Sequence, residues 1–275
     1  LAFLTIRLPQ AKERVPVFGT KGRKTKRTIP VPRAFAAPHR PDLVRRAVIF
    51  LQSKRFQPKG SSKRSGHKYS VESLGAGYGI ARVSRIKGGG TQKSRAGGFI
   101  PFAVGGRPTH PPKPEKVLVK NLNKKERRQA LLSAIAMTAD LDIVRSRGHA
   151  APDKLTVPLA VTDSVRRLDR TSKVKDLLVS LGLERELKRC QAKSIRPGVG
   201  KMRGRKYKKR VGPLIVVEKD EGIGKAASNI AGVEVTSLRK LNVEHLAPGG
   251  HPGRLVLWSA SALGKIDRAF LRGLE

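Results

Sequence analysis

The residues of this chain best suited to chemistry are cations set among glycines and aromatics, and the chemistry open to them is the neutralisation of phosphate. Lys54, Arg55, Lys59, Lys63, Arg64, Lys68, Arg82, Arg85, Lys87, Lys93, Arg95, Arg107 and Lys113 fall within residues 52–113, with 12 glycines and a single acid, Glu72. Phe56, Tyr69, Tyr78, Phe99 and Phe102, five of the 12 aromatics of the chain, lie among them. Arginine and lysine contact phosphate, glycine admits close backbone approach, and aromatic rings stack on unstacked bases. Glycines this dense disfavour a helix, and no zinc-finger, zipper or homeodomain pattern is present. Shape-fitting to folded RNA is therefore expected, rather than readout of a duplex groove.

A second cationic stretch contains Lys193, Arg196, Lys201, Arg203, Arg205, Lys206, Lys208, Lys209 and Arg210, directly before an apolar run. It reads as a phosphate clamp anchored at a sheet edge. Gly198, Gly200 and Gly204 lack the spacing and the strand-then-helix context of a dinucleotide fingerprint. Catalytic signals are weak elsewhere. Gly222, Gly224 and Lys225 resemble a phosphate loop, yet Lys219 stands where its first glycine belongs and Ala226 replaces the magnesium-binding hydroxyl. The histidines at 39, 67, 110, 149, 245 and 251 show no metal-binding spacing, and His149 reads as a helix-end or turn residue. Asp140 with Asp142, and Glu184 with Glu186, read as solvated charges. Cys190 is the only cysteine, which excludes an intrachain disulfide and a cysteine-based zinc cluster. No cofactor, no metal and no enzymatic activity are expected.

The elements that must position these cations belong to a more ordinary part of the chain. The net charge is +39, from 59 basic and 20 acidic residues, and it is unevenly spread. Residues 1–51 hold 12 basic and two acidic residues, 52–113 hold 13 and one, and 188–212 hold 11 and none; the remainder has 23 and 17. So much self-repulsion calls for a polyanion, and the charge sits in segments added to a balanced body. No apolar run approaches the ~18 residues of a membrane span, and no signal-peptide pattern is seen, so a soluble, cytoplasmic protein is expected. The sequence opens on Leu1 rather than Met, and some residues are expected to precede it.

Periodicity and caps outline the body. Asp42 opens a helix through Leu43, Val44, Ala47, Val48 and Leu51. Asn123 and Glu126 predict a capping box for a helix burying Ala130, Leu131, Ala134, Ile135 and Thr138. Thr171 is expected to cap a helix through Val174, Leu177, Leu178 and Leu181 that stops at Gly182. Strands are expected at 155–161, 213–217, 233–236 and 255–258, with helical segments at 225–230 and 261–270. The alternation predicts a three-layer α/β domain with a mostly parallel sheet, formed by 1–51 and 114–275. Residues 52–113 are expected as an extended internal loop lacking regular structure, ordered by its partner.

Five blocks carry a resemblance to a known family. They are Arg85-Ile86-Lys87-Gly88-Gly89-Gly90-Thr91; Gly105-Gly106-Arg107 with His110-Pro111-Pro112-Lys113; the helix over 123–140; Gly200-Lys201-Met202-Arg203-Gly204-Arg205-Lys206-Tyr207; and Leu246-Ala247-Pro248-Gly249-Gly250-His251-Pro252-Gly253-Arg254. Over about 28–270 the chain resembles the universal large-subunit ribosomal protein L-four family, in its archaeal and eukaryotic form; residues 1–27 are not placed by it. The resemblance implies a structural constituent of the large ribosomal subunit that binds large-subunit rRNA and supports assembly. It implies a globular domain on the solvent side and a loop driven into rRNA, whose tip lines the polypeptide exit tunnel. There it would meet the L-twenty-two protein, other neighbouring ribosomal proteins and, in passing, the nascent polypeptide. Carried over position by position, the tip falls near 78–90 and the arms at 52–77 and 91–113, so Tyr78, Ile80, Arg82, Arg85, Ile86 and Lys87 are candidate tip residues. The sequence departs from many relatives at 75–80, where Tyr78 and Ile80 stand among glycines. Two other classes stay open on the residues alone: a nucleic-acid-processing enzyme with a basic substrate clamp, and a chromatin-like DNA-binding protein.

Overall fold

The computed structural model describes residues 14–153 and 155–271. Two compact units emerge, one from the chain up to Gln52 and from Asn121 onward, the other from Ser53–Lys120. The first is the body. Its sheet has six strands: β1 (Arg14–Phe18), β2 (Lys24–Pro30), β3 (Leu159–Val161), β4 (Leu214–Val217), β5 (Glu234–Ser237) and β6 (Val256–Ser259). The order across the sheet is β2-β1-β3-β6-β4-β5, antiparallel only between β1 and β2.

Strands covered on both faces must be apolar on both, and β3, β4 and β6 are buried at every position. Their side chains alternate between two cores, as a period of two requires. Ala160, Leu214, Val216, Val256 and Trp258 face one core, whereas Leu159, Val161, Ile215, Val217 and Leu257 face the other. The first core is closed by helices α1 (Pro41–Ser53), α2 (Lys124–Ala136), α7 (Val243–Leu246) and α8 (Ala260–Phe270). The second is closed by Val144 of α3 (Leu141–Ser146) and by α4 (Thr171–Ser180), α5 (Glu184–Gln191) and α6 (Ile223–Ser228). This is the three-layer α/β body expected. Trp258, fully buried, meets the Phe35 ring edge-on with centroids 5.8 Å apart.

The helix ends differ from expectation in instructive ways. Pro41 occupies the first position of α1, where a missing N–H costs nothing. Asn123 precedes α2 without bonding through its side chain, and Glu126 pairs with Arg46 at 3.4 Å instead of closing a capping box. Thr171 is the first helical residue of α4 rather than its cap, which is Arg170. Leu132, not Leu131, is fully turned into the core. The strand expected over 155–161 begins only at Leu159, because Pro158 has no N–H to donate to a ladder. The pair β1 and β2 was not expected at all.

The unit Ser53–Lys120 is built differently. Its regular structure is one short antiparallel pairing, Val71 with Ile86 and Glu72 with Arg85, extended by a bridge from Arg85 to Gly97. Turns, bends and irregular chain make up the rest. Among its described residues no hydrophobic side chain is buried, while Phe56, Tyr78, Ile80, Phe102, Val104, Val117 and Val119 are exposed. A small pairing therefore replaces the complete lack of regular structure expected for residues 52–113.

Candidate nucleic-acid interface

Within Ser53–Lys120 the glycines divide by purpose. A Cβ on Gly66 would collide with the Arg107 backbone and one on Gly106 with the Ile100 carbonyl, so these two allow strands of the segment to lie against each other. Gly75, Gly77, Gly79, Gly88, Gly89 and Gly90 have open space around them. All of these except Gly89 adopt positive φ, so the backbone turns here while leaving its surface clear.

The cations of the segment fall into two groups. Some are engaged with their own chain. Arg85 donates through Nη1 to the Arg95 carbonyl at 2.9 Å and through Nη2 to that of Ala81 at 3.4 Å. Lys87 pairs with Glu72 at 3.3 Å. Lys93 reaches the Tyr69 hydroxyl at 3.3 Å, and Lys68 and Lys93 both stand over the Tyr69 ring. These neighbours, Lys93 first, hold the phenol below its usual pKa. Ile86 packs with Val71 over Gly98, so it faces the segment itself. Others are presented outward: Lys59, Lys63, Arg64, Arg82 and Lys113 are exposed, as are Tyr78 and Ile80. Arg107 lies over the Phe99 ring at 5.8 Å, with His67 against the same ring at 4.2 Å. Lys63, Arg107 and Lys113 share the lining of a cleft of about 570 Å³ with Ser61, Ser62, Phe99 and the prolines at 108, 111, 112 and 114. Lys54 and Arg55 follow α1 and are exposed, and Arg95 holds a positive φ.

The second cationic stretch forms a short hairpin, Ser194 with Lys208 and Ile195 with Tyr207. Lys193 and Lys206 flank the Tyr207 ring at 5.9 and 5.6 Å, and Arg196 donates to the Arg205 carbonyl. Lys201, Arg203, Arg205, Lys206, Lys208, Lys209 and Arg210 are all exposed. The hairpin leads into β4, an interior strand; β5 is the edge, so the clamp is not at a sheet edge as expected.

What holds this hairpin is a buried polar cluster that the sequence reading missed. Glu186 is 0% exposed rather than solvated. Its carboxylate accepts from His149 Nδ1 at 2.7 Å, from Arg189 at 2.6 and 2.8 Å, and from the Ala150 amide at 2.8 Å. Burial alone would push this carboxyl up, but the Arg189 and His149 hydrogen bonds outweigh it and hold it down at about 2. His149 Nε2 accepts from the Leu255 amide at 3.3 Å, which requires the neutral tautomer protonated on Nδ1. Burial lowers its pKa in the same sense. Arg189 also donates to the Val211 carbonyl at 2.7 Å, and Arg254 to the Gly212 carbonyl at 2.9 Å. Two guanidinium groups thus grip consecutive carbonyls at the foot of the hairpin. Arg254 is itself 0% exposed and pairs with Glu234 at 2.6 Å. Cys190 packs against Gly212 and Gly232, its thiol pushed up to about 11 by burial and by Glu186.

The loop resembling a phosphate loop is occupied by its own chain. Asp220 Oδ1 accepts from the amides of Gly222 and Gly224 at 3.0 and 3.1 Å, filling the place an incoming phosphate would need. Among the described residues no cluster of three metal-ligating side chains is found, and no helix is long and apolar enough to cross a membrane.

Comparison with known proteins gives concordant matches. The pattern of the family described as "Ribosomal protein L4/L1 family" matches residues 29–269. A protein of Methanopyrus kandleri named large ribosomal subunit protein uL4 is 43% identical over 253 residues, covering 92% of this chain and 97% of the relative. Its namesake in Archaeoglobus fulgidus is 45% identical over 248 residues, 90% of this chain and 95% of the relative. That of Methanosphaera stadtmanae is 38% identical over 258 residues, 94% and 97%.

Proposed function

Because the chain belongs to the ribosomal protein L4/L1 family and is thereby a structural component of the large ribosomal subunit, we propose that it works there as an rRNA glue with two separate contact regions. Residues 53–120 and the hairpin at 193–210 neutralise and bind large-subunit rRNA. The first supports assembly of the subunit and brings its tip, around 78–90, to the wall of the polypeptide exit tunnel beside the L-twenty-two protein. The chain does no catalysis of its own in this reading.

The observation that carries the proposal is the lack of any buried hydrophobic side chain among the described residues of Ser53–Lys120, in a stretch that exposes seven large apolar side chains beside its cations. Without a core to repay its conformational entropy, such a segment is ordered by a partner. Cations with aromatics beside them suit a partner with phosphates and unstacked bases. Within the tip, the exposed Tyr78, Ile80 and Arg82 are better suited to meet an RNA or peptide surface than Arg85 and Ile86, which serve the segment itself.

The test is a chain lacking residues 56–109, produced beside the full chain in cells. The shortened protein should keep a cooperative melt, yet be lost from large subunits sedimented in moderately high salt. Equal retention of both chains in such subunits would refute the role given to the segment. A nucleic-acid-processing enzyme would instead need a site for nucleotide or metal, and Asp220 occupies the loop nearest to one.

A further inference from the structure

Where the foot of the hairpin, at Lys208, Lys209 and Arg210, meets the body lies a cleft of about 540 Å³ whose charge is not explained by the fold. It opens between the end of α3, the turn at 248–252 and the chain at 208–211. Arg147, Arg189, Lys208, Lys209 and Arg210 line it, and no carboxylate does. Arg189 is satisfied by Glu186, but Arg147 is not matched in this way. Its guanidinium donates to the carbonyls of Pro248, at 3.1 Å, and of His251, and among the described residues no carboxylate pairs with it. Burial, and then the charges of Arg254 and Arg189, hold its pKa down at about 10. A half-buried cation among cations is an arrangement that an incoming anion relieves. Beside these cations the lining is apolar: Ile143, Val211, Pro248 and Pro252, with His251.

We propose that this cleft binds a single RNA nucleotide, its phosphate facing Arg147 and Arg210 and its base lying on the Pro248–Pro252 wall. The volume falls in the range of about 300–1,000 Å³ usual for sites that enclose a small molecule. A bare phosphate would use the charge but not the apolar wall, whereas a splayed-out nucleotide uses both. The residues 246–254 would then have a role beyond their turn: they form the base platform, fixed in place by Arg147. The inference rests on the rRNA-binding reading above.

Two experiments on the full chain test it. In the first, binding to large-subunit rRNA is followed as salt is raised, for the native protein and for Arg147→Met and Arg210→Met. Each substitution should lower the steepness of the log–log salt dependence by about one, as expected for one lost phosphate contact. Arg147→Met also removes a tether of the turn, so Arg210→Met, whose side chain ties down no turn, decides if the first variant melts early. Native steepness in both variants overturns the cleft while leaving rRNA binding intact; failure of the native protein to bind rRNA overturns the reading of function and this inference with it. In the second, a photoreactive residue replaces Ser146 on the exposed lip, and large subunits containing it are irradiated. A crosslink confined to one rRNA nucleotide or its immediate neighbour is expected. Absence of any RNA adduct overturns the proposal, as does equal thermal stabilisation of the free protein by inorganic phosphate and by uridine monophosphate.

Discussion

The body and the segment 53–120 are made from one chain under opposite rules. In the body each residue of the central strands is buried on its own side: Leu214 and Val216 enter one core and Ile215 and Val217 the other. In the segment seven large apolar side chains are exposed and the others are at most half-buried, as where Ile86 meets Val71 over Gly98, and most of the contacts join backbone, cations and rings. The difference teaches that hydrophobic burial fixes the body, whereas the segment has no buried hydrophobic side chain among its described residues to fix it in that way.

Breaking the body should therefore be costly and breaking the segment nearly free. Glu186→Ala removes the buried acceptor shared by His149 and Arg189, leaving a half-buried guanidinium without its counter-charge, and should cost about 3 kcal/mol in chemical denaturation. Trp258→Ala should cost a similar amount, about 3–5 kcal/mol, by emptying the space against Phe35. A loss of under 1 kcal/mol in either would mean that the two cores are looser than their burial implies. Phe102→Ala, at a ring 78% exposed, should change stability of the free protein by no more than about 0.5 kcal/mol. If it proved as damaging as Trp258→Ala, the contrast between the two regions would collapse.

Acid sharpens the comparison further, because the buried cluster ties the stability of the body to the protonation of His149 and Glu186. His149 is held below its ordinary 6.5, so the unfolded chain takes up the proton first and stability declines as pH falls below that value. Glu186 is depressed from 4.5 to about 2, so its contribution is complete above 4.5 and is lost as pH falls toward 2. The melting temperature should fall in two stages on acidification, and Glu186→Gln should remove the lower one. A profile flat from pH 7 to 3 would contradict the cluster.

Much of this arrangement was legible in the sequence, for reasons that can be located. The strands of the sheet centre are doubly covered, so runs such as 214–217 stand out as unbroken β-branched and aliphatic residues. The pair β1 and β2 was hidden because Lys24, Lys26 and Arg27 look like a cationic tail, although Val15, Val17 and Ile29 reach the core between them. The buried cluster was hidden by its company. Glu184, Arg185 and Lys188 mask Glu186, yet Leu183, Glu186, Leu187 and Cys190 recur at helical spacing, and an acid on an apolar stripe was the available signal. Arg147 and Arg189 carried no such mark; only the fold brings them to one cleft. Within the segment the sequence told which residues are cationic but not which would turn inward, since Arg85 and Arg82 differ only in the carbonyls that the turns supply.

The position of β6 has a consequence for the order in which the protein comes into being. It lies between β3 and β4, yet it is the last of the six strands to be synthesised. Until the ribosome making this chain has delivered it, β3 and β4 have no neighbour in common, and the sheet exists as separated pieces. Both cationic regions emerge earlier. Both are therefore made before the scaffold can close, and the final stretch of translation is what completes the sheet.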